Sequence, residues 1–85
     1  MKSTAVTVTT TPTLLVASDD LNRWIYIHNS GGAKIYIGNG NVTTASGYHI
    51  GNAESQQLFV PAHETLYGVV AAGTNAIQVL TPDSD

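Results

Sequence analysis

The sequence contains no cysteine, so neither disulfides nor thiolate-held metals reinforce the fold, and the redox compartment stays open. Charge is scarce as well: 11% of the 85 residues are Asp, Glu, Lys or Arg, against roughly 25% in a typical soluble domain. A surface so poor in charge implies that other chains cover part of it. Lys2, Arg23 and Lys34 stand against six acidic side chains, a formal net charge of −3. That leaves no basic stripe to neutralise phosphates, and nucleic acid is not an expected partner. No apolar run approaches the roughly 18 residues of a membrane span, so no membrane partner is expected either. Met1, Lys2, Ser3 and Thr4 lead into alternating Val and Thr rather than a signal-peptide core. The expectation is a protein that stays in the cytoplasm where it is made unless an assembly carries it. Helical periodicity is also missing, since no segment sustains apolar side chains at i, i+3, i+4 and i+7.

What is present is strand grammar, organised around residues 23–38, RWIYIHNSGGAKIYIG. Ile25 and Ile27 alternate with Trp24, Tyr26 and His28, and Ile35 and Ile37 alternate with Lys34 and Tyr36, as successive strand residues alternate faces. The isoleucines are expected to face a core, because full burial of an aliphatic side chain stabilises by about 1.5–3 kcal/mol; the aromatic face then points outward or against a neighbour. Asn29, Ser30, Gly31, Gly32 and Ala33 between the runs predict a short antiparallel hairpin. Residues 65–70 and 76–80, flanking Ala71, Ala72, Gly73, Thr74 and Asn75, repeat that logic and predict a second hairpin. Elsewhere residues 13–17 read as a strand, Val42, Thr43 and Thr44 as a short strand or extended link, residues 51–57 as a polar loop, and Leu58, Phe59 and Val60 as a brief strand stopped by Pro61.

These signals predict an all-β fold, a small antiparallel β-sandwich or barrel of about seven or eight short strands. Its expected core is Ile25, Ile27, Ile35, Ile37, Leu66, Val70, Ile77 and Val79. The expected organisation is an N-terminal arm or edge strand over residues 1–12, a β-sandwich domain over 13–81 and an acidic tail over 82–85. The arm carries almost no large apolar side chain, so its order is expected to come from a partner. A chain this short buries only about 60–65% of its unfolded surface, and oligomerisation is a common remedy.

The residues that do chemistry are dispersed. His28, His49 and His63 follow no ligand spacing, and isolated histidines on strands and loops are more often surface residues than metal ligands. Asp19, Asp20, Glu54 and Glu64 fall in turns and loops, and the adjacent His63 and Glu64 point to opposite faces if extended. No catalytic residue, metal or cofactor is expected. The Gly-x-Gly at Gly38 and Gly40 precedes no helix and reads as a turn rather than a phosphate cradle. Asn41, Val42 and Thr43 match the glycosylation acceptor pattern without a secretion signal beside it. Trp24, Tyr26, Tyr36, Tyr48 and Tyr67 suit either a sugar-binding platform or cross-strand and subunit packing, with packing the simpler reading.

An arginine-led strand with an Asn-Ser-Gly turn, Ile-Tyr-Ile-Gly, Val-Thr-Thr, Ser-Gly-Tyr, Leu-Tyr-Gly-Val-Val and a Gly-Thr turn into Ile-Gln-Val-Leu follow one another over residues 23–80. The succession resembles the small β-domain virion proteins of tailed bacteriophages, above all head decoration (cement) proteins. The resemblance implies a non-enzymatic protein, made in the bacterial host cytoplasm, that binds the major capsid protein on the capsid surface, self-associates as a homotrimer and stabilises the shell. Similar grammar occurs in phage tail and fibre modules, which leaves a carbohydrate-binding or structural module of a tail or host-attachment apparatus as the alternative. Residues 1–13 carry nothing that matches. As an edge, residues 4–11 offer unpaired backbone groups to a partner. The candidate capsid or subunit contacts are therefore Lys2, Thr4, Val6, Val8, Thr10 and Pro12 of the arm, with Trp24, Tyr26 and Tyr36 of the aromatic face.

Overall fold

The computed structural model of the chain describes residues 2–82. Its eight strands are β1 (Lys2–Val8), β2 (Thr13–Val16), β3 (Arg23–Asn29), β4 (Ile35–Gly38), β5 (Tyr48–Ile50), β6 (Ser55–Val60), β7 (Leu66–Val69) and β8 (Asn75–Thr81). Among the described residues there is no helix, and of the expected acidic tail only Pro82 is described. The alternation in the sequence becomes alternation of burial: in β3, Arg23, Ile25, Ile27 and Asn29 are buried, and Trp24, Tyr26 and His28 are exposed.

The strands form two antiparallel four-stranded sheets, the first ordered β1-β8-β3-β6 and the second β2-β7-β4-β5. The pairs β1–β8, β2–β7, β3–β6 and β4–β5 make one long ribbon of two halves, rolled up so that β3 also meets β8 and β4 also meets β7. This is the arrangement of an eight-stranded jelly roll. Only the β4–β5 connection joins neighbours within a sheet; every other connection crosses the sandwich.

Both expected hairpins are therefore corrected. β3 lies in the first sheet and β4 in the second, and β7 and β8 are divided likewise, so residues 30–34 and 70–74 are arches between sheets. Period-2 alternation is satisfied by either arrangement. Two strands side by side put their isoleucines on one face, whereas two strands stacked across the core put them against each other. Here Ile25, Ile27, Ile77 and Val79 of the first sheet share one buried cluster with Ile35 and Ile37 of the second. Val70 joins it as expected, Leu66 packs against it half-buried, and Val8, Leu15, Val16, Ile50 and Val60 complete it. Two local boundaries also shift: β6 begins at Ser55 inside the expected polar loop, and Val42 sits in a turn region yet is buried.

Three arches close the same end of the sandwich on one asparagine. Asn29, fully buried, occupies a core-facing position at the end of β3. Its Nδ2 donates to the carbonyls of Ala33 at 2.7 Å, Ile50 at 3.1 Å and Gly51 at 3.0 Å. Its Oδ1 accepts from Gly31 N at 3.1 Å and from Asn75 Nδ2 at 2.7 Å. Its backbone also bonds residues 51–54, accepting from Ala53 N and donating to Glu54 O, both at 2.9 Å. Asn75, from the third arch, adds a bond from Nδ2 to Ala33 O at 2.9 Å. Crossing chains expose backbone groups that no strand partner satisfies, and buried polar groups require partners. The two amides supply them.

Gly31 fits because it lacks a side chain. A Cβ there would overlap the Asn75 side-chain oxygen, whereas one on Gly32 meets nothing within 4 Å. Gly31→Ala is expected to destabilise by about 1–3 kcal/mol through overpacking, and Gly32→Ala to stay within about 0.5 kcal/mol. Paired urea unfolding curves check this; equal midpoints for the two variants would contradict the account of the arch.

The segment expected as an arm or edge strand contains β1, which pairs with β8 from Lys2 opposite Thr81 to Val8 opposite Asn75. Its order thus comes from β8 of the same chain rather than from a separate partner. Val6 and Thr4 fall in the same rows as Ile77 and Val79, so even-numbered residues face inward and Val8 is wholly buried.

Candidate interaction surface

The outer face of the first sheet is assembled from the residues that alternate with its core set. β3 contributes Trp24, Tyr26 and His28, and directly opposite them β6 contributes Phe59, Gln57 and Ser55. On the other side of β3, Tyr26 faces Leu80 and His28 faces Gln78 of β8. β1 adds the small side chains Ser3, Ala5 and Thr7. None of these is Asp, Glu, Lys or Arg.

Trp24 and Phe59 form an edge-to-face pair with centroids 5.2 Å apart, the geometry the ring quadrupoles favour. They remain open: Trp24 is 56% exposed, Phe59 47% and Tyr26 43%, half of the large apolar side chains left exposed in the described residues. Beside Tyr26 a trough of about 320 Å³ crosses all four strands, lined by Ser3, Leu80, Gln78, His28 and Ser55 among others. His28 Nδ1 and Ser55 Oγ lie 2.8 Å apart across the β3–β6 ladder. The face offers stacking surfaces, amides and a hydroxyl, without net charge.

The second sheet is different because the chain covers it. Residues 39–47, between β4 and β5, fold back over it: Gly47 lies against Tyr36 and Val42, and Val42 packs on Gly38 and is buried. Gly40 rests near the Tyr67 ring. Turn bonds hold the loop, with Asn41 N donating to Asn39 Oδ1 at 2.9 Å and Gly47 N to Thr43 O at 2.8 Å. Tyr36 is half-buried there, its ring 6.3 Å from that of His49.

The residues read as candidate capsid or subunit contacts lie in several parts of the molecule. Trp24 and Tyr26 share the first sheet's outer face; Tyr36 is on the opposite side of the molecule. Lys2 and Thr4 line a cleft of about 250 Å³ between the sheets, together with Arg23, Asp19 and Thr81. Val6 packs against the core and Val8 belongs to it, so Val8 presents no side chain to a partner. Thr10 and Pro12 line a groove with residues 40–44. Inward parity of the even residues of β1 is the physical reason. Sequence alone does not assign Phe59 and Gln57 to this surface, because the loop reading of residues 51–57 hides the ladder that brings β6 beside β3, nor Leu80 and Gln78, because the hairpin reading pairs their strand with β7 rather than with β3.

Arg23 is buried at the opposite end from the asparagine pair. Its guanidinium donates to Ala17 O at 2.6 Å and Glu64 O at 3.1 Å, while Nε is buried without a hydrogen-bond partner among the described residues. It ties residues 17–22 to 61–65, which are also joined by His63 N donating to Asp19 O at 2.7 Å and Ala62 N to Asn22 Oδ1 at 2.8 Å. The histidines stand apart: His28 on the first sheet, His49 on the second, and His63 in a loop with its Nδ1 3.7 Å from Asp20. Among the described residues no group of three His, Asp or Glu is placed to hold a metal.

No protein-family model matches the chain, and neither the curated proteins nor the solved structures compared with it give a match.

Proposed function

We propose that this chain is a non-enzymatic structural protein of a tailed bacteriophage that binds the major capsid protein on the assembled shell, as a homotrimer, and stabilises it. The observation that carries the reading is the open outer face of the first sheet: aromatic, traversed by a trough and free of charged side chains. Interface centres are depleted in charge and enriched in Trp, Tyr and Phe, and exposed aromatic patches mark contact sites. Covering the open halves of Trp24, Tyr26 and Phe59 yields about 2–3 kcal/mol per ring at roughly 25 cal/mol per Å², before the cost of association. The low charge of the whole chain and the sequence resemblance point the same way. Eight-stranded jelly rolls occur in viral capsid domains and in lectins, which supports the reading by analogy only.

The test is to mix the folded chain with expanded capsids of the phage that encodes it, stripped of accessory proteins, and measure occupancy and resistance of the particles to heat. Saturable binding with a raised capsid melting temperature is expected; absence of binding would overturn the reading. Gln57 and Gln78 flanking the rings favour, as a second reading, a carbohydrate-binding module of a tail or host-attachment structure. Binding to host surface glycans, without capsid binding, would decide for it.

A further inference from the structure

We infer that copies of this chain join head to tail through the two edges of the first sheet, β1 of one copy pairing antiparallel with β6 of the next. The inference rests on the assembly reading and names the surface by which the chain meets itself. An edge strand presents a row of unpaired backbone groups, and proteins that stay monomeric blunt such edges with short strands, bulges, proline or charge. The second sheet is blunted in this way: β5 has three residues, and β2 has four, with a register shift between Leu14 and Val16.

The first sheet is not. β1 keeps one register along all seven residues against β8, and β6 keeps one along all six against β3. Neither contains proline, and the lone charged residue on either, Lys2, stands at the first position of β1, leaving the rest of both edges uncharged.

The two edges are complementary. β1 and β6 run in opposite directions, so β6 of a second copy laid beside β1 continues the alternation of the sheet. Three half-buried hydrophobic residues pack against the core, and two of them are Val6 on β1 and Leu58 on β6. Through the existing ladders Val6 lies level with Asn29, and Leu58 with Ile25, four residues apart along β3. A stagger of that size sets Val6 against Leu58 of the neighbour and completes the burial of both. It also sets Ala5 beside Phe59 and Thr7 beside Gln57, small side chains next to large ones. Each copy gives one edge and receives the other, a heterologous contact of the kind that closes cyclic oligomers.

The absence of cysteine makes the contact testable by disulfide trapping at two exposed positions, Thr7 and Gln57. T7C and Q57C are made separately and checked for the wild-type circular dichroism spectrum. Mixed and mildly oxidised, they are expected to give covalent dimers that neither gives alone, and the double variant a covalently closed set of copies. Ala5→Lys, which adds charge to the edge without touching the core, is expected to raise the subunit dissociation constant at least about tenfold. Linked dimers from T7C alone or Q57C alone, a wild-type monomer at micromolar concentration in sedimentation equilibrium, or an oligomer in which the mixture never links would each overturn the inference. Capsid occupancy measured on the wild-type chain, whose outer face is unaltered, separates the two proposals, since wild-type binding without linkage of the cysteine variants refutes only the edge contact and linkage without wild-type binding refutes only the capsid reading.

Discussion

Replacing Asn29 by alanine is expected to destabilise the protein by about 3–5 kcal/mol. The change removes donors to Ile50 O and Gly51 O and one of the two serving Ala33 O; it orphans Gly31 N and leaves Asn75 Nδ2 with Ala33 O as its one remaining acceptor. Each buried polar group left unpaired costs about 1–3 kcal/mol. Domains of this size are stable by only about 4–13 kcal/mol, and 1 kcal/mol moves their melting temperature by about 4–8 °C, so a fall of at least about 12 °C is expected. Asn29→Asp is expected to be no milder, because a carboxylate there sets negative oxygen against three carbonyls. Ser30→Ala serves as the control: its hydroxyl makes one exposed bond, to Ala76 O at 3.1 Å, and its loss is expected to cost under about 1 kcal/mol. Thermal melts followed by circular dichroism decide the matter. An Asn29→Ala protein melting within a few degrees of wild type would show that the arches close without the amide.

The second large effect concerns binding. Trp24→Ala with Tyr26→Ala is expected to weaken capsid binding at least about thirtyfold, since loss of even one buried aromatic anchor at an interface costs about 2 kcal/mol or more. Folding stability is expected to fall by only about 1 kcal/mol, because what the fold loses is chiefly the edge-to-face pair with Phe59. Leu14→Ala tests the other side of the sandwich, where Leu14 is 45% exposed on the second sheet; its binding is expected to match wild type. Equal losses in Leu14→Ala and the double variant would remove the preference for the first sheet's face.

Much of this architecture is legible in the sequence, and the failures have physical causes. Alternation at Ile25, Ile27, Ile35 and Ile37 identifies strands and their buried side, because an aliphatic side chain gains the same from the core whichever sheet its strand joins. For that reason alternation does not say which strands are neighbours, and a glycine-bearing turn serves an arch as well as a hairpin. The signal that separates the two is polar: Asn29 and Asn75 have the parity of the isoleucines beside them. An amide on a core row next to a turn has no use in a two-residue hairpin, where the ladder satisfies the backbone, but it completes the bonding of a chain that leaves its sheet. The first half of β6, Ser55, Gln56 and Gln57, escapes detection because Gln56 and Gln57 put polar side chains on both faces, which an edge strand tolerates at its half-buried positions. The cover over the second sheet is not readable locally at all. Val42 is a lone apolar residue in a polar loop, and its burial depends on where residues 39–47 return in three dimensions.

The sequence contains a single tryptophan, and it stands on the proposed contact face, 56% exposed in the lone chain. Replacing it by 5-hydroxytryptophan, excited at wavelengths where the capsid's own tryptophans are silent, makes acrylamide quenching a direct reading of whether that face is covered. On saturated capsids the account predicts a blue-shifted emission and a quenching constant well below that of the free chain. Full occupancy with emission and quenching unchanged would contradict it, because the chain would then be bound with its aromatic face still in water.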